Sequence, residues 1–125
     1  MDLFIVDDEE MVRLSVRRLL RGLGFELVHE AEGGRAALAL LEELARRGEL
    51  PAVVVTDCSM PGGDGLALVA AMREREGLRG VPVIVCSGDD SNAAAAERLG
   101  APFFYKGGGS PADLKALVTR AIEGR

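Results

Sequence analysis

The stretch Val53-Val54-Val55-Thr56-Asp57 is β-branched without interruption and stops at a carboxylate, before Pro61, Gly62, Gly63 and Gly65 turn the chain into a helical pattern. A strand with no polar alternation is buried on both faces, and strands of that kind belong to parallel sheets with helices packed on each side. This one run restricts the chain to an α/β architecture. In open α/β sheets ligands bind outside the carboxyl ends of the strands, which is where Asp57 stands. Taken alone, Asp57 is an acid that starts or caps the following turn. The other strand ends change that reading.

Leu3-Phe4-Ile5-Val6 is a second short apolar run and ends in Asp7-Asp8, Val83-Ile84-Val85-Cys86 ends in Ser87, and Phe103-Phe104-Tyr105 ends in Lys106. In isolation Asp7-Asp8-Glu9-Glu10 is the acidic first turn of a helix. If the strands of Val6 and Val55 are neighbours, three carboxylates meet in one crevice, and like charges that close repel unless a cation or a proton intervenes. Oxygen ligands with open water positions suit Mg²⁺.

Between the strands lie helical periodicities. Val12, Val16, Leu19, Leu20 and Leu23 mark a first helix, stopped near Gly22 and Gly24, with Arg13, Arg17, Arg18 and Arg21 mainly on its solvated face. Leu27 to Ala31 is the second strand, with His29 a bystander at its edge, and Ala37, Leu40, Leu41 and Leu44 form the stripe of a helix from Gly34 to Arg47. A third helix from Leu66 to Glu76 buries Leu66, Val69 and Ala70. Ser91 is expected to cap an Ala-rich segment, Asn92 to Leu99, whose small side chains anchor it weakly. Ser110-Pro111-Ala112-Asp113 opens the last helix with a hydroxyl cap and Pro at the first helical position, and Leu114, Leu117, Val118, Ala121 and Ile122 are its buried stripe. Five strands alternating with five helices make a parallel sheet with right-handed crossovers.

At 125 residues and 48% hydrophobic content the chain builds one domain with a real core, over 1–125. A formal net charge of −5 argues against direct nucleic-acid binding, which needs concentrated Lys and Arg. No run approaches the ~20 apolar residues that cross a bilayer, and Met1-Asp2-Leu3 lacks a signal-peptide start, so no membrane association and a cytoplasmic protein are expected. Cys58 and Cys86 are too few for a zinc motif and are read as small buried residues, reduced in the cytosol, with a redox-sensitive contact between them as the alternative. The closing Ile122-Glu123-Gly124-Arg125 reads equally as native sequence or as a protease-site scar.

The ordered set Asp7-Asp8, Asp57 with Met60-Pro61-Gly62-Gly63-Asp64-Gly65 behind it, Ser87-Gly88 and Lys106 resembles the receiver domains of two-component response regulators, and the likeness covers essentially the whole chain. It implies a flavodoxin-like sheet of order 2-1-3-4-5, in which the first and third strands are neighbours. Flavin binding is disfavoured, because acids stand where a phosphate loop would be. By resemblance Asp57 is the phosphoacceptor and takes a phosphoryl group from the phosphohistidine of a histidine kinase or histidine phosphotransfer protein. Mg²⁺ is held by Asp8, by Asp57, by the backbone carbonyl of Ser59 and, largely through water, by Asp7. Lys106 pairs with Asp57 at rest, Ser87 hydrogen-bonds the phosphoryl group, and Phe103 occupies the switch-aromatic position. The fourth helix, fifth strand and fifth helix then form the face read by a downstream protein, a linked domain or, in a phosphorylation-dependent dimer, a second copy. Such a chain assists its own phosphorylation and dephosphorylation but is no enzyme in the usual sense, and it stands alone or forms part of a hybrid histidine kinase or larger regulator.

One departure concerns Lys106, which the family usually follows with proline. Here Gly107-Gly108-Gly109 follows, in a loop one residue longer, and a trans bond and a more mobile loop are expected. Two other readings remain. An aspartate-nucleophile Mg²⁺ phosphohydrolase would want a second Asp where Ser59 stands, and a receiver-like module that is never phosphorylated would not need the intact acid set.

Overall fold

Alternate residues of each central strand go to opposite faces of one sheet. In the computed structural model, which describes residues 1–62 and 64–124, Leu3 and Ile5 of β1 (Leu3–Val6) join Val53 and Val55 of β3 (Val53–Asp57) and Ile84 and Cys86 of β4 (Val83–Ser87) in one core. Phe4, Val6, Val54, Val83 and Val85 point into the other. Gly63 of the predicted turn and Arg125 of the closing tetrapeptide lie outside the described residues.

The strands β2 (Val28–Ala31) and β5 (Phe103–Tyr105) complete a parallel sheet of order β2-β1-β3-β4-β5, the expected doubly wound α/β topology. Helices α1 (Glu10–Leu20) and α5 (Pro111–Glu123) cover the first core with Leu20, Leu114 and Val118. Helices α2 (Gly34–Arg46), α3 (Gly65–Glu74) and α4 (Ala93–Arg98) cover the second with Leu41, Leu44, Leu68, Val69, Met72 and Ala96. Burial of the Leu, Val and Met side chains among these, each contributing about 1.5–3 kcal/mol, is what holds the layers together. The register Val6↔Thr56 leaves Asp7 and Asp57 one step further along adjacent strands. That places both acids at the same carboxyl edge.

Several local expectations are corrected. Helix α3 starts at Gly65 behind the Asp64 side chain, which accepts the Ala67 N–H at 2.7 Å, and its inward face is Gly65, Leu68, Val69 and Met72, while Leu66 and Ala70 are only half-buried. Ser91 is not the cap of the Ala-rich segment. Asp89, in extended backbone, accepts the Ser91 N–H at 3.0 Å and caps a 3₁₀ turn over Asp90–Asn92, leaving α4 only six residues long. Arg13, assigned to the solvated face, is buried. His29 stands on the edge strand β2, with its Nε2 3.5 Å from Asp2 Oδ2 and its ring centroid 6.0 Å from that of Phe4.

The capping box of α5 forms as read, with Ser110 accepting from Asp113 N–H and Asp113 accepting from Ser110 N–H. Before it, the peptide bond after Lys106 is trans, and the loop folds as a turn in which Gly108 and Gly109 donate to the Tyr105 carbonyl at 3.3 and 2.8 Å. Positive φ among the described residues is confined to Gly24, Gly48 and Gly100, so what sets these glycines apart is the aromatic side chains beside them, of which exposed Tyr105 is free to yield. A Cβ at Gly107 would stand 2.6 Å from the Tyr105 phenol oxygen, and one at Gly109 2.5 Å from Phe104 Cε1. The backbone lies directly on two aromatic rings.

Candidate functional site

Asp7 is buried although ionisable, and three bonds fix it. Its N–H donates to the Ala31 carbonyl at 3.1 Å, extending the β1–β2 ladder. Its Oδ1 accepts the Glu9 N–H at 2.9 Å, and its own carbonyl accepts from Arg13 Nη1 at 2.7 Å. Asp8, the next residue, is exposed. Across the edge, Asp57 Oδ1 accepts the Cys58 N–H at 2.9 Å, and its side chain is 16% exposed.

One carboxylate oxygen each from Asp7, Asp8 and Asp57 lies within 4.8 Å of the others. A fourth group enters from β5: Lys106 Nζ is 3.2 Å from Asp57 Oδ1 and 3.8 Å from Asp7 Oδ2. Its backbone N–H donates to the Ser87 carbonyl at 2.8 Å, so the end of β4 locates the lysine. Burial works against the ammonium, but the charge and hydrogen bond of Asp57 and the charge of Asp7 outweigh it and raise its pKa. The acids and the lysine thus share one crevice. Hard carboxylate oxygens are the donor set of Mg²⁺, and the fold already directs an ammonium into the same negative field, so the residues present fit such a cation.

The Asp7 carboxyl is pushed above its ordinary value of 3.8, by burial first and by the charges of Asp57 and Asp8, while the Glu9 amide and Lys106 pull the other way. A carboxyl with a raised folded pKa binds its proton more readily in the native state, so its contribution to stability grows as pH falls through that window and is lost as pH rises out of it. Metal binding has the opposite sign, because the cation takes the deprotonated form. Mg²⁺ affinity is therefore expected to start falling at a pH above the ordinary carboxylate range, and Asp7→Asn to remove that part of the dependence. Calorimetric titration at stepped pH checks this. An affinity that stays flat down to pH ~4 contradicts it.

Ser87 is buried, and its Oγ accepts the Asp89 N–H at 3.0 Å and Asn92 Nδ2 at 3.2 Å, so in this conformation the hydroxyl anchors the turn before α4. Ser59 is exposed in the loop leaving β3, and Phe103 is half-buried against the second core. Cys58 and Cys86 are free thiols in the two different cores, on opposite faces of the sheet, which answers the redox alternative. Burial pushes the Cys86 thiol up to about 12 and raises that of Cys58.

Some contacts that shape the site are not legible in the sequence. Glu30 on β2 holds Arg13 Nε at 2.9 Å, although an Arg inside the apolar margin of α1, between Val12 and Val16, was the available signal. Gly33 and Gly62 pack backbone to backbone, with a Cβ on Gly33 falling 2.7 Å from Gly62 Cα, and the Arg35 N–H donates to the Gly62 carbonyl at 3.1 Å. This contact braces the loop after β3 against the start of α2. The glycines were legible, but not their mutual contact.

With this geometry in hand, comparison with known proteins is specific. The family model described as response regulator receiver domain matches residues 3–106. The chain is 38% identical over 89 residues to the chemotaxis protein CheY-3 of Vibrio cholerae, a match spanning 71% of this chain and 65% of that protein, just under two-thirds of its length. The chemotaxis protein CheY of Pseudomonas aeruginosa is 37% identical over 89 residues, 71% of this chain and 68% of that protein. Among solved structures, the receiver domain of a signal transduction histidine kinase from Syntrophus aciditrophicus superposes with a TM-score of 0.83 at 25% identity, covering 98% of this chain and 90% of that one. The receiver domain of NtrX from Brucella abortus gives 0.82 at 29% identity, covering 99% and 100%.

Proposed function

The chain belongs to the response regulator receiver domain family of two-component signalling, and from that membership we propose that Asp57 accepts a phosphoryl group from the phosphohistidine of a histidine kinase or histidine phosphotransfer protein. The observation that carries this reading is the convergence of Asp7, Asp8 and Asp57 within 4.8 Å, with the Lys106 ammonium 3.2 Å from the Asp57 carboxylate.

Phosphoryl transfer asks for positioning and charge neutralisation more than for proton chemistry. An Asp57 carboxylate oxygen forms the new O–P bond as the N–P bond of the phosphohistidine breaks, and the imidazole released takes a proton from water. Asp8, Asp57 and the Ser59 carbonyl would hold Mg²⁺, with Asp7 largely through water. When bound, the ion supplies neutralisation of the phosphoryl charge. Lys106, paired with Asp57 at rest, is placed to exchange that partner for a phosphoryl oxygen. Ser87 accepts two hydrogen bonds, so its own proton remains to be donated to another such oxygen.

Movement of Ser87 toward the phosphoryl group would pull on Asp89 and Asn92, which it now anchors, and so on the turn before α4. Helix α4 is six residues long and its first residue follows no side-chain cap, so little holds it in one place. Phe103, packed against the same core, is the switch aromatic of this reading, and α4, β5 and α5 are the face that changes for a downstream protein, a linked domain or a second copy. The domain acts over 1–125 in the cytoplasm as a regulator rather than a turnover enzyme. No helix among the described residues is long and apolar enough to cross a membrane, and the net charge of −5 opposes direct nucleic-acid contact.

The test is to incubate the protein with Mg²⁺ and radiolabelled acetyl phosphate. Stoichiometric label that vanishes in EDTA and is released by hydroxylamine, as an acyl phosphate would be, is the expected result. Steady phosphate release from a monoester with no retained label would mark the phosphohydrolase reading instead.

A further inference from the structure

Arg13 closes the first turn of α1 and reaches the Asp7 carbonyl, with its side chain 11% exposed. Its Nη1 donates to the Asp7 carbonyl at 2.7 Å and its Nε to Glu30 Oε1 at 2.9 Å, while the other oxygen of Glu30 takes Arg17 Nη1 at 3.2 Å. Asp7 is therefore held on the N–H side by β2, at its carboxylate by Glu9, and at its carbonyl by this guanidinium. The carbonyl of Asp7 and the N–H of Asp8 lie in one rigid peptide plane. Whatever fixes that oxygen fixes the plane from which both acidic side chains depart. Asp8 is exposed, so the main chain is what aims it at the cluster.

We propose that Arg13, steadied by Glu30, is a positioning residue that sets the orientation of the Asp7–Asp8 peptide and thereby the Mg²⁺ affinity of the acid cluster. The proposal rests on the preceding reading of that cluster. Glu30 is shared between Arg13 and Arg17 and offsets part of their charge, so the orienting role of the guanidinium is separated from its charge by substitution. Mg²⁺ tolerates little departure from octahedral placement of its ligands, and groups that orient ligands from outside commonly change metal affinity about 10–100-fold when replaced. Lysine retains the charge but lacks the planar fork that reaches a carbonyl and a carboxylate together. Arg13→Lys therefore separates orientation from charge.

The experiment is calorimetric Mg²⁺ titration of the chelator-treated full chain as wild type, Arg13→Lys, Arg13→Gln and Glu30→Gln, with a thermal melt of each in EDTA and the amide resonance of Asp8 followed in metal-free ¹⁵N-labelled protein. Arg13→Lys is expected to weaken binding about tenfold or more, and to displace the metal-free Asp8 amide resonance. Glu30→Gln, which keeps the arginine and frees it to move, is expected to shift both readouts in the same direction and serves if Arg13→Lys does not fold. Wild-type affinity in folded Arg13→Lys, with tighter binding in Arg13→Gln, would show the guanidinium acting only as a repelling charge and overturn the proposal alone. A wild-type chain that binds no Mg²⁺ would overturn both the underlying reading and the proposal.

Discussion

Asp57→Asn is expected to reduce phosphoryl labelling by acetyl phosphate to background while leaving the chain folded. The amide keeps the shape of the side chain and can still accept the Cys58 N–H through its oxygen, a bond of 2.9 Å in the native protein. It cannot supply an anionic oxygen to form the O–P bond, so the acceptor step has no nucleophile. It also loses the ion pair with Lys106 at 3.2 Å, but it relieves the repulsion that Asp57 exerts on Asp7. The two changes oppose each other, and a melting temperature in EDTA close to or above that of the native chain is expected. Mg²⁺ affinity should fall because one of three clustered carboxylates is gone. The measurement is labelling and melting on the same preparations. Label retained by a folded Asp57→Asn chain would place the acceptor elsewhere.

Gly65→Ala should be the most damaging Gly→Ala change among the glycines of the described residues. The first residue of α3 lies so close to the end of β3 that a Cβ there would fall on the Asp57 carbonyl oxygen, far inside van der Waals contact, with Asp57 C and Thr56 Oγ1 each 3.1 Å away. These are not yielding neighbours. The Gly65 N–H is bound to the Cys58 carbonyl at 2.8 Å, the Cys58 N–H to the Cys86 carbonyl at 2.9 Å, and Thr56 is fully buried. The helix or the strand end must move, at a cost of about 3 kcal/mol, the upper part of the usual range for overpacking. That corresponds to a drop in melting temperature of about 10–15 °C for a domain of this size. Because the displaced backbone carries Asp57, Mg²⁺ binding should weaken as well. Gly80→Ala is the control, since a Cβ there meets nothing within 4 Å and its φ is not positive. Equal melting of the two variants would show that α3 can withdraw freely, and the close packing would then explain nothing.

Much of the acid site was legible because each of its members ends a strand. Uninterrupted runs such as Val53-Val54-Val55 identify themselves, and the residue that follows such a run is a strand-end residue wherever the strand lies in the sheet. Asp7, Asp8, Asp57, Ser87 and Lys106 were all found in this way. The α3 face is not legible in the sequence, because the entry of Gly65 against the strand end sets the rotation of the helix and three-residue periodicities in a mostly apolar segment do not decide it. Ser91 reads as a cap because hydroxyl caps are common. The Asp89 carboxylate accepts the Ser91 amide instead, in a 3₁₀ turn that also depends on Ser87.

The sequence by itself determined the layer architecture, the alternation of strand and helix, and the chemical identity of each group at the carboxyl edge, since these follow from local periodicity and from what ends each run. The tertiary structure alone decided that Arg13 turns inward to the Asp7 carbonyl, that Gly33 meets Gly62, and that Tyr105 and Phe104 lie against the three glycines after Lys106. The physical reason is one of range. Which residues form a strand is settled by neighbours along the chain, whereas the partner of a buried guanidinium, or the backbone a glycine must admit, is settled by segments that meet only after the sheet has formed.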